Sequence, residues 1–135
     1  MTLETSLQPG LLGTATLVVG EEHTAARLGS GRAPVLATPS LVALMEAAAV
    51  DCVERLLPQA QESLGVRIEV DHTAATPVGL AVTATAELRE VSGRRLVFLV
   101  EARDAREVIG KGRHERVVVD AARFRAKVRA KAGPH

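Results

Sequence analysis

Ten consecutive residues decide most of what this chain can become. From Leu41 to Val50 it reads LVALMEAAAV, and Glu46 is the only polar residue in that run. Leu, Ala, Met and Glu are strong helix formers. Thr38 is a good N-cap, and Pro39 suits the first helical position, where no N–H is needed. Pro58 ends the helix, with Arg55 in the last turn. A helix that is apolar all round has to be buried. The rest of the chain must wrap it, and most of the rest has the pattern of strand. Glu46 is then a carboxylate inside a wrapped helix. Burying an unpaired charge is expensive, so such a group is paired, protonated or functional.

The wrapping segments follow in order. Met1–Gly13 reads as a loosely held N-terminus, and Thr14–Val19 as a short strand stopped at Gly20. Glu21–Ala37 holds Gly29, Ser30, Gly31 and Pro34 and reads mostly as loop. Gln59–Leu64 is a connector. In Gly65–Thr76, Val66, Ile68, Val70, His72 and Ala74 alternate with Arg67, Glu69, Asp71 and Thr73. That is the period of a strand, and His72 lies on its apolar face. Leu80–Val91, Arg94–Arg103 and Glu107–Val119 continue the pattern, separated by turns at Ser92-Gly93 and Asp104-Ala105. Gly110 and Gly112 share one face of the last strand, where a neighbouring backbone can approach closely. Asp120 can cap a final helix in which Phe124 and Val128 are four apart.

Strand, buried helix, then four strands in meander or near-meander make an α+β chain. Its antiparallel sheet curls around one helix, in a single domain over residues 1–135. Such a sheet keeps two edges, and pairing an edge with a second copy hides it, so a homodimer is expected.

Composition narrows the function. With two Phe and no Tyr or Trp, the core is aliphatic and there is little to stack on bases. A net charge of +1 gives no global attraction for nucleic acid or membrane. One Cys excludes an internal disulfide framework and fits a reducing, cytoplasmic setting. The sequence has no signal peptide and no apolar run long enough to span a bilayer.

Glu46 and His72 lead the candidate chemistry. Helix and core-facing strand must touch, so these two polar groups can meet in aliphatic surroundings. They are either a structural pair or a base beside an imidazole, which suits acyl transfer or hydrolysis. Thr38 is either a helix cap or a hydroxyl that faces a polarised carbonyl with the helix N–H groups. Eight residues of helix rise about 12 Å, so Thr38 and Glu46 cannot touch one atom unless the helix starts later, the loop folds back or a partner subunit intervenes. Cys52 reads as an inert small hydrophobe. His23, His72 and His114 do not form a metal spacing. Gly110-Lys111-Gly112-Arg113 is not a phosphate loop. The basic run Arg123, Arg125, Lys127, Arg129 and Lys131 reads first as a solvated face, with contact to a ligand's phosphates as the alternative.

The segments ATPSLVALMEAAAVDCV, SLGVRIEVDHTAATPVGLAVTATAELREVSGRRL and IGKGRHERVVVDAARFRAKVRAKA carry a resemblance. The chain resembles the hotdog-fold acyl-CoA thioesterases, and within them the fluoroacetyl-CoA thioesterase group. The resemblance implies Thr38, Glu46 and His72 as the catalytic set, with Gly65 and Arg116 in the active-site region. It implies hydrolysis of a short-chain acyl-CoA to free acid and CoA. No metal or organic cofactor is implied beyond the coenzyme A of the substrate. It also implies a dimer with sites at the subunit interface, and the Val-, Ile- and Ala-rich sheet edges leave room for pairing into a tetramer. A hotdog enoyl-CoA hydratase and a non-catalytic acyl-CoA binding module are the alternatives. One departure matters. That group carries an aromatic-bearing lid before its threonine, whereas Thr24–Ala37 is short and has no Phe, Tyr or Trp. The acyl specificity does not carry over.

Overall fold

The computed structural model describes residues 7–133. Its strands are β1 (Leu12–Val18), β2 (Gln61–His72), β3 (Ala81–Ser92), β4 (Arg95–Arg103) and β5 (Val108–Asp120). Its α-helices are α1 (Ala25–Leu28), α2 (Thr38–Val53) and α3 (Ala121–Ala132). All the strand pairings are antiparallel, in the spatial order β1-β3-β4-β5-β2. The α+β architecture is the expected one. Only β3, β4 and β5 form a meander, however. β2 pairs with β5 and lies at the far edge, so the segment from β2 to β3 crosses the sheet. Alternation fixes which face a side chain takes; it says nothing about which strand lies alongside.

α2 lies across the sheet, packing most extensively on β1 and β3 and also touching β2 and β4. Leu41, Leu44, Met45, Ala48, Ala49, Cys52 and Val53 form its buried face. They meet the inward sets Val82, Ala84, Ala86 and Leu88 of β3 and Leu96, Phe98, Val100 and Ala102 of β4. Burying each large aliphatic side chain of this set contributes roughly 1.5–3 kcal/mol. Contact with β1 is closer still. A Cβ on Gly13 would run into the carbonyl of Ala48 and the backbone of Cys52. At β5 a Cβ on Gly110 would come 2.9 Å from Leu41 Cδ2, and one on Gly112 would meet the Glu69 backbone, the close approach expected there.

α2 is not covered all round. Ala43, Ala47 and Val50 are exposed along the side turned away from the sheet, and Glu46 lies beside them. One sheet wraps about half a cylinder, and the apolar remainder of the helix surface faces outward. The capping also differs. Ala37 is the N-cap and Thr38 already lies inside the helix. At the other end Arg55 sits in a 3₁₀ turn, Glu54–Leu56, and Nη1 donates to the Asp51 carbonyl at 2.9 Å.

β2 begins four residues before the expected strand, at Gln61, and stops at His72 rather than Thr76. A bulge between Gly65 and Arg67 hides the earlier start. It inserts a residue and reverses the alternation, so the polar stretch before it loses phase with the apolar stretch after it. The N-terminal expectation also changes. Leu7 is buried in the core and β1 starts at Leu12, while Met1–Ser6 lie outside the described residues.

The Glu21–Ala37 segment is more ordered than a plain loop. It folds back on itself through hydrogen bonds from Ala25 N–H to the Val35 carbonyl (2.9 Å) and from Ala37 N–H to the His23 carbonyl (2.8 Å). Leu36 N–H donates to the Thr76 carbonyl at 2.9 Å, and the Thr76 hydroxyl donates to Asp104 Oδ2 at 2.9 Å. α3 is capped as expected, Asp120 Oδ1 accepting from Arg123 N–H at 3.0 Å.

Candidate active site

Because Ala37 is the N-cap, the Thr38 hydroxyl is not used on the helix end. It lies 2.8 Å from His72 Nδ1 instead. α2 supplies the hydroxyl from its first turn and β2 supplies the imidazole from its last residue. The pair opens on a 280 Å³ cleft lined also by Ala25, Val35, Leu36 and Ala74. His72 Nε2 is buried and meets no hydrogen-bond partner among the described residues. Burial pushes the His72 imidazole below its ordinary pKa, partly opposed by the Ala74 backbone. At neutral pH it is a free base.

Glu46 is elsewhere. Its Oε2 lies 3.8 Å from Arg116 Nη1 and 4.0 Å from His114 Nε2, both on β5. Opposite, on β2, Gly65 leaves room for the carboxylate; a Cβ there would lie 2.5 Å from Oε2. The register sets Gly65 directly beside Arg116. Glu46, Gly65, Val66, Ile68 and His114 line a 250 Å³ cleft. The Glu46 side chain is 42% exposed, not enclosed as the apolar helix suggested.

Within one chain, therefore, Thr38 meets His72, and Glu46 meets Gly65 and Arg116. The expected contact of Glu46 with His72 is not made. The cause is the helix rise: eight residues separate Thr38 from Glu46, about 12 Å along α2.

His114 is the site neighbour that the sequence reading set aside. It is 1% exposed. Its Nδ1 lies 2.8 Å from the Arg67 carbonyl, which can only accept, so Nδ1 carries the hydrogen. Nε2 is then the acceptor for Arg116 Nη1 at 3.1 Å. Burial pushes His114 below its ordinary pKa; the Arg67 carbonyl opposes this and the Arg116 charge adds to it. The signal was present in the period of two, which sets His114 and Arg116 on one face with Gly110 and Gly112.

Cys52 lies in the core, as read from the sequence. It donates to the Leu11 carbonyl at 3.4 Å, and burial pushes its thiol up. Among the described residues no three His, Cys, Asp or Glu gather as a metal site would require. No described helix is long and apolar enough to cross a membrane.

Comparison with known proteins places this arrangement. The profile of a family described as fluoroacetyl-CoA-specific thioesterase matches residues 19–122. The fluoroacetyl-CoA thioesterase of Streptantibioticus cattleyicolor is 53% identical over 97 residues, covering 72% of this chain and 70% of that protein. A threonine-to-serine variant of a fluoroacetyl-CoA thioesterase, solved with acetyl-CoA, superimposes with a TM-score of 0.88 at 43% identity, covering 93% of this chain and 98% of the other. A hot-dog-like protein from Thermanaerovibrio acidaminovorans superimposes with a TM-score of 0.89 at 26% identity, over 100% of both chains. The sheet-wrapped helix and the matched residues lead to one assignment: the chain belongs to the fluoroacetyl-CoA-specific thioesterase family and has the hotdog fold.

Proposed function

We propose that this protein is a cytoplasmic acyl-CoA thioesterase that hydrolyses short-chain acyl-CoA to free acid and CoA. Family membership supports thioester hydrolysis over the hydratase and binding-module alternatives. In the proposed reaction Glu46 activates water or attacks the thioester carbonyl itself. His72 relays the proton to the departing thiolate, and Thr38 orients the imidazole or the carbonyl. Gly65 and Arg116 shape and charge the cleft around Glu46. No metal or organic cofactor takes part, and coenzyme A enters as part of the substrate.

One observation carries the reading. The Thr38 hydroxyl is free of capping and lies on the imidazole of His72, whose buried Nε2 has no partner among the described residues. Polar groups arranged this way in an aliphatic cleft lack a structural use and suit a reacting thioester.

The proposed assembly is a homodimer. Gly65 and His72 lie equally far from Ile68–Glu69 along β2, whose outer edge is unpaired. Antiparallel pairing of two β2 edges about that point sets Gly65 and Glu46 of one copy near His72 of the partner subunit. It also covers exposed Val66, Ala43 and Ala47. Pairing of dimers into a tetramer is compatible with it.

The experiment is thiol release from a panel of saturated acyl-CoAs, run beside an enoyl-CoA. Hydrolysis of a short acyl-CoA is expected. Hydration of the enoyl-CoA without thiol release, or tight binding with neither reaction, would overturn the proposal.

A further inference from the structure

Glu54 breaks a local rule. It stands at the carbonyl end of α2, where the helix dipole disfavours a negative side chain. It follows Glu46 by eight residues, about two turns further along the chain. Both carboxylate oxygens are engaged by one residue of β2. Oε1 accepts from Ser63 N–H at 2.7 Å, and Oε2 accepts from the Ser63 hydroxyl at 2.7 Å.

A hydroxyl that donates to Glu54 turns its lone pairs elsewhere. Arg116 Nε donates to it at 2.8 Å, and Arg116 Nη2 donates to the Ser63 carbonyl at 3.0 Å. Two bonds to one residue fix the plane of the guanidinium. Ser63 and Arg116 are both buried, so little else competes for these groups. Nη1 is left facing the cleft, 3.1 Å from His114 Nε2 and 3.8 Å from Glu46 Oε2. The guanidinium thus stands between two carboxylates. Burial pushes its pKa below the ordinary value, and Glu54 and then Glu46 hold it up.

We infer that Glu54 and Ser63 are positioning residues for the reacting carboxylate: they lock Arg116 so that Nη1 holds Glu46 Oε2 beside His114 Nε2, over the notch left by Gly65. This rests on the hydrolase reading above. α2 fixes the Cα of Glu46 but not its half-exposed carboxylate. A misplacement of about 1 Å in such a group costs on the order of 10²-fold in rate.

The test uses the full chain with Glu54→Ala, Ser63→Ala and the nearly isosteric Glu54→Gln. Thiol release from the acyl-CoA panel is measured, together with thermal melting and the ring-nitrogen NMR resonances of His114. In the two alanine variants kcat is expected to fall about tenfold or more with KM nearly unchanged. The His114 Nε2 resonance should move toward that of a free acceptor nitrogen. Glu54→Gln keeps one acceptor oxygen for Ser63 but replaces the other with a donor, so it should fall between wild type and the alanine variants in both rate and Nε2 resonance. Wild-type kcat and an unmoved Nε2 resonance in both alanine variants would overturn the inference. So would a rate that falls only with the folded fraction, which marks a plain tie between helix and strand. If the alanine variants do not fold, Glu54→Gln decides: an altered Nε2 resonance supports the inference, and one identical to wild type overturns it. Absence of thiol release by the wild-type chain would instead sink the hydrolase reading. The Nε2 resonance then decides the inference by the same two outcomes.

Discussion

Gly65 and Glu46 share a space that holds only one of their side chains: a Cβ on residue 65 would lie 2.5 Å from Glu46 Oε2. Gly65 is not among the residues with positive φ, so alanine suits the backbone. The collision falls on the flexible end of a side chain, and the carboxylate has to swing away. Gly65→Ala is expected to melt close to wild type and to lose on the order of 10²-fold in kcat. Glu46→Gln, nearly isosteric, should also fold and lose about 10²-fold or more. Normal turnover in either variant would remove the Glu46 carboxylate from the chemistry.

A pH dependence follows from the two buried imidazoles. His72 and His114 are both pushed below the ordinary value by burial, so each binds a proton more readily in the unfolded chain. Their contribution to stability is complete above the unfolded value of about 6.5 and is lost as pH falls through the depressed folded values. Melting temperature should therefore drop between about pH 7 and pH 5, and less so in His72→Ala. That variant should also lose activity while melting near wild type at neutral pH, because Glu46 is not its partner. A melting temperature that rises on acidification would contradict this account.

Assembly is tested at the exposed stripe of α2. Light scattering at micromolar concentration should give at least a dimer mass for the wild-type chain. Ala47→Glu places a charge among Ala43, Val50 and the neighbouring Glu46. It should give monomers and abolish turnover together, since Glu46 and His72 meet only across copies in the proposed dimer. A fully active monomer would refute both halves of that statement.

In the proposed reaction, acyl choice depends on the cover formed by Thr24–Ala37. It presents aliphatic Val35 and Leu36 to the cleft and no aromatic ring. One methylene in an apolar pocket discriminates by about 1–3 kcal/mol, and a cover without aromatics should give less. Broad activity on short acyl-CoAs is expected, with little distinction between acetyl-CoA and its fluorinated analogue. The check is kcat/KM for both on one preparation. A preference of about 10³-fold for the fluorinated substrate, ~4 kcal/mol in the transition state, would show that selectivity survives without the aromatics.

Much of the fold was legible because its cause is local. Period two placed His72 and the strands β3, β4 and β5, and helix formers placed α2. What failed was non-local. The bulge at Gly65 scrambles the alternation that would have announced Gln61–Leu64 as strand. Nothing in the LVALMEAAAV run tells which of its faces a single sheet leaves bare. The site was legible as residues and not as contacts. Thr38 and His72 do meet, but Glu46 sits about two turns further along α2 and faces Arg116 and His114, and alternation does not encode which strand lies there. Glu54 has no distinguishing signal in the sequence; its two bonds to Ser63 are what single it out.

The cover over the cleft is also a place where this enzyme can be rebuilt. Its stem is closed by the backbone bridge of Thr24 with Leu36 and by the bond from Ala37 N–H to the His23 carbonyl. The chain between therefore leaves and returns at nearly the same point. Doubling such a loop costs only about 0.6 kcal/mol in closure entropy. Residues inserted between Arg27 and Ala33 can lengthen the lid without moving Thr38 or His72. In the proposed enzyme, substrate range is thereby separated from the Thr38–His72 pair, and a graft of aromatic residues at the tip should alter selectivity while the melting temperature stays near its present value.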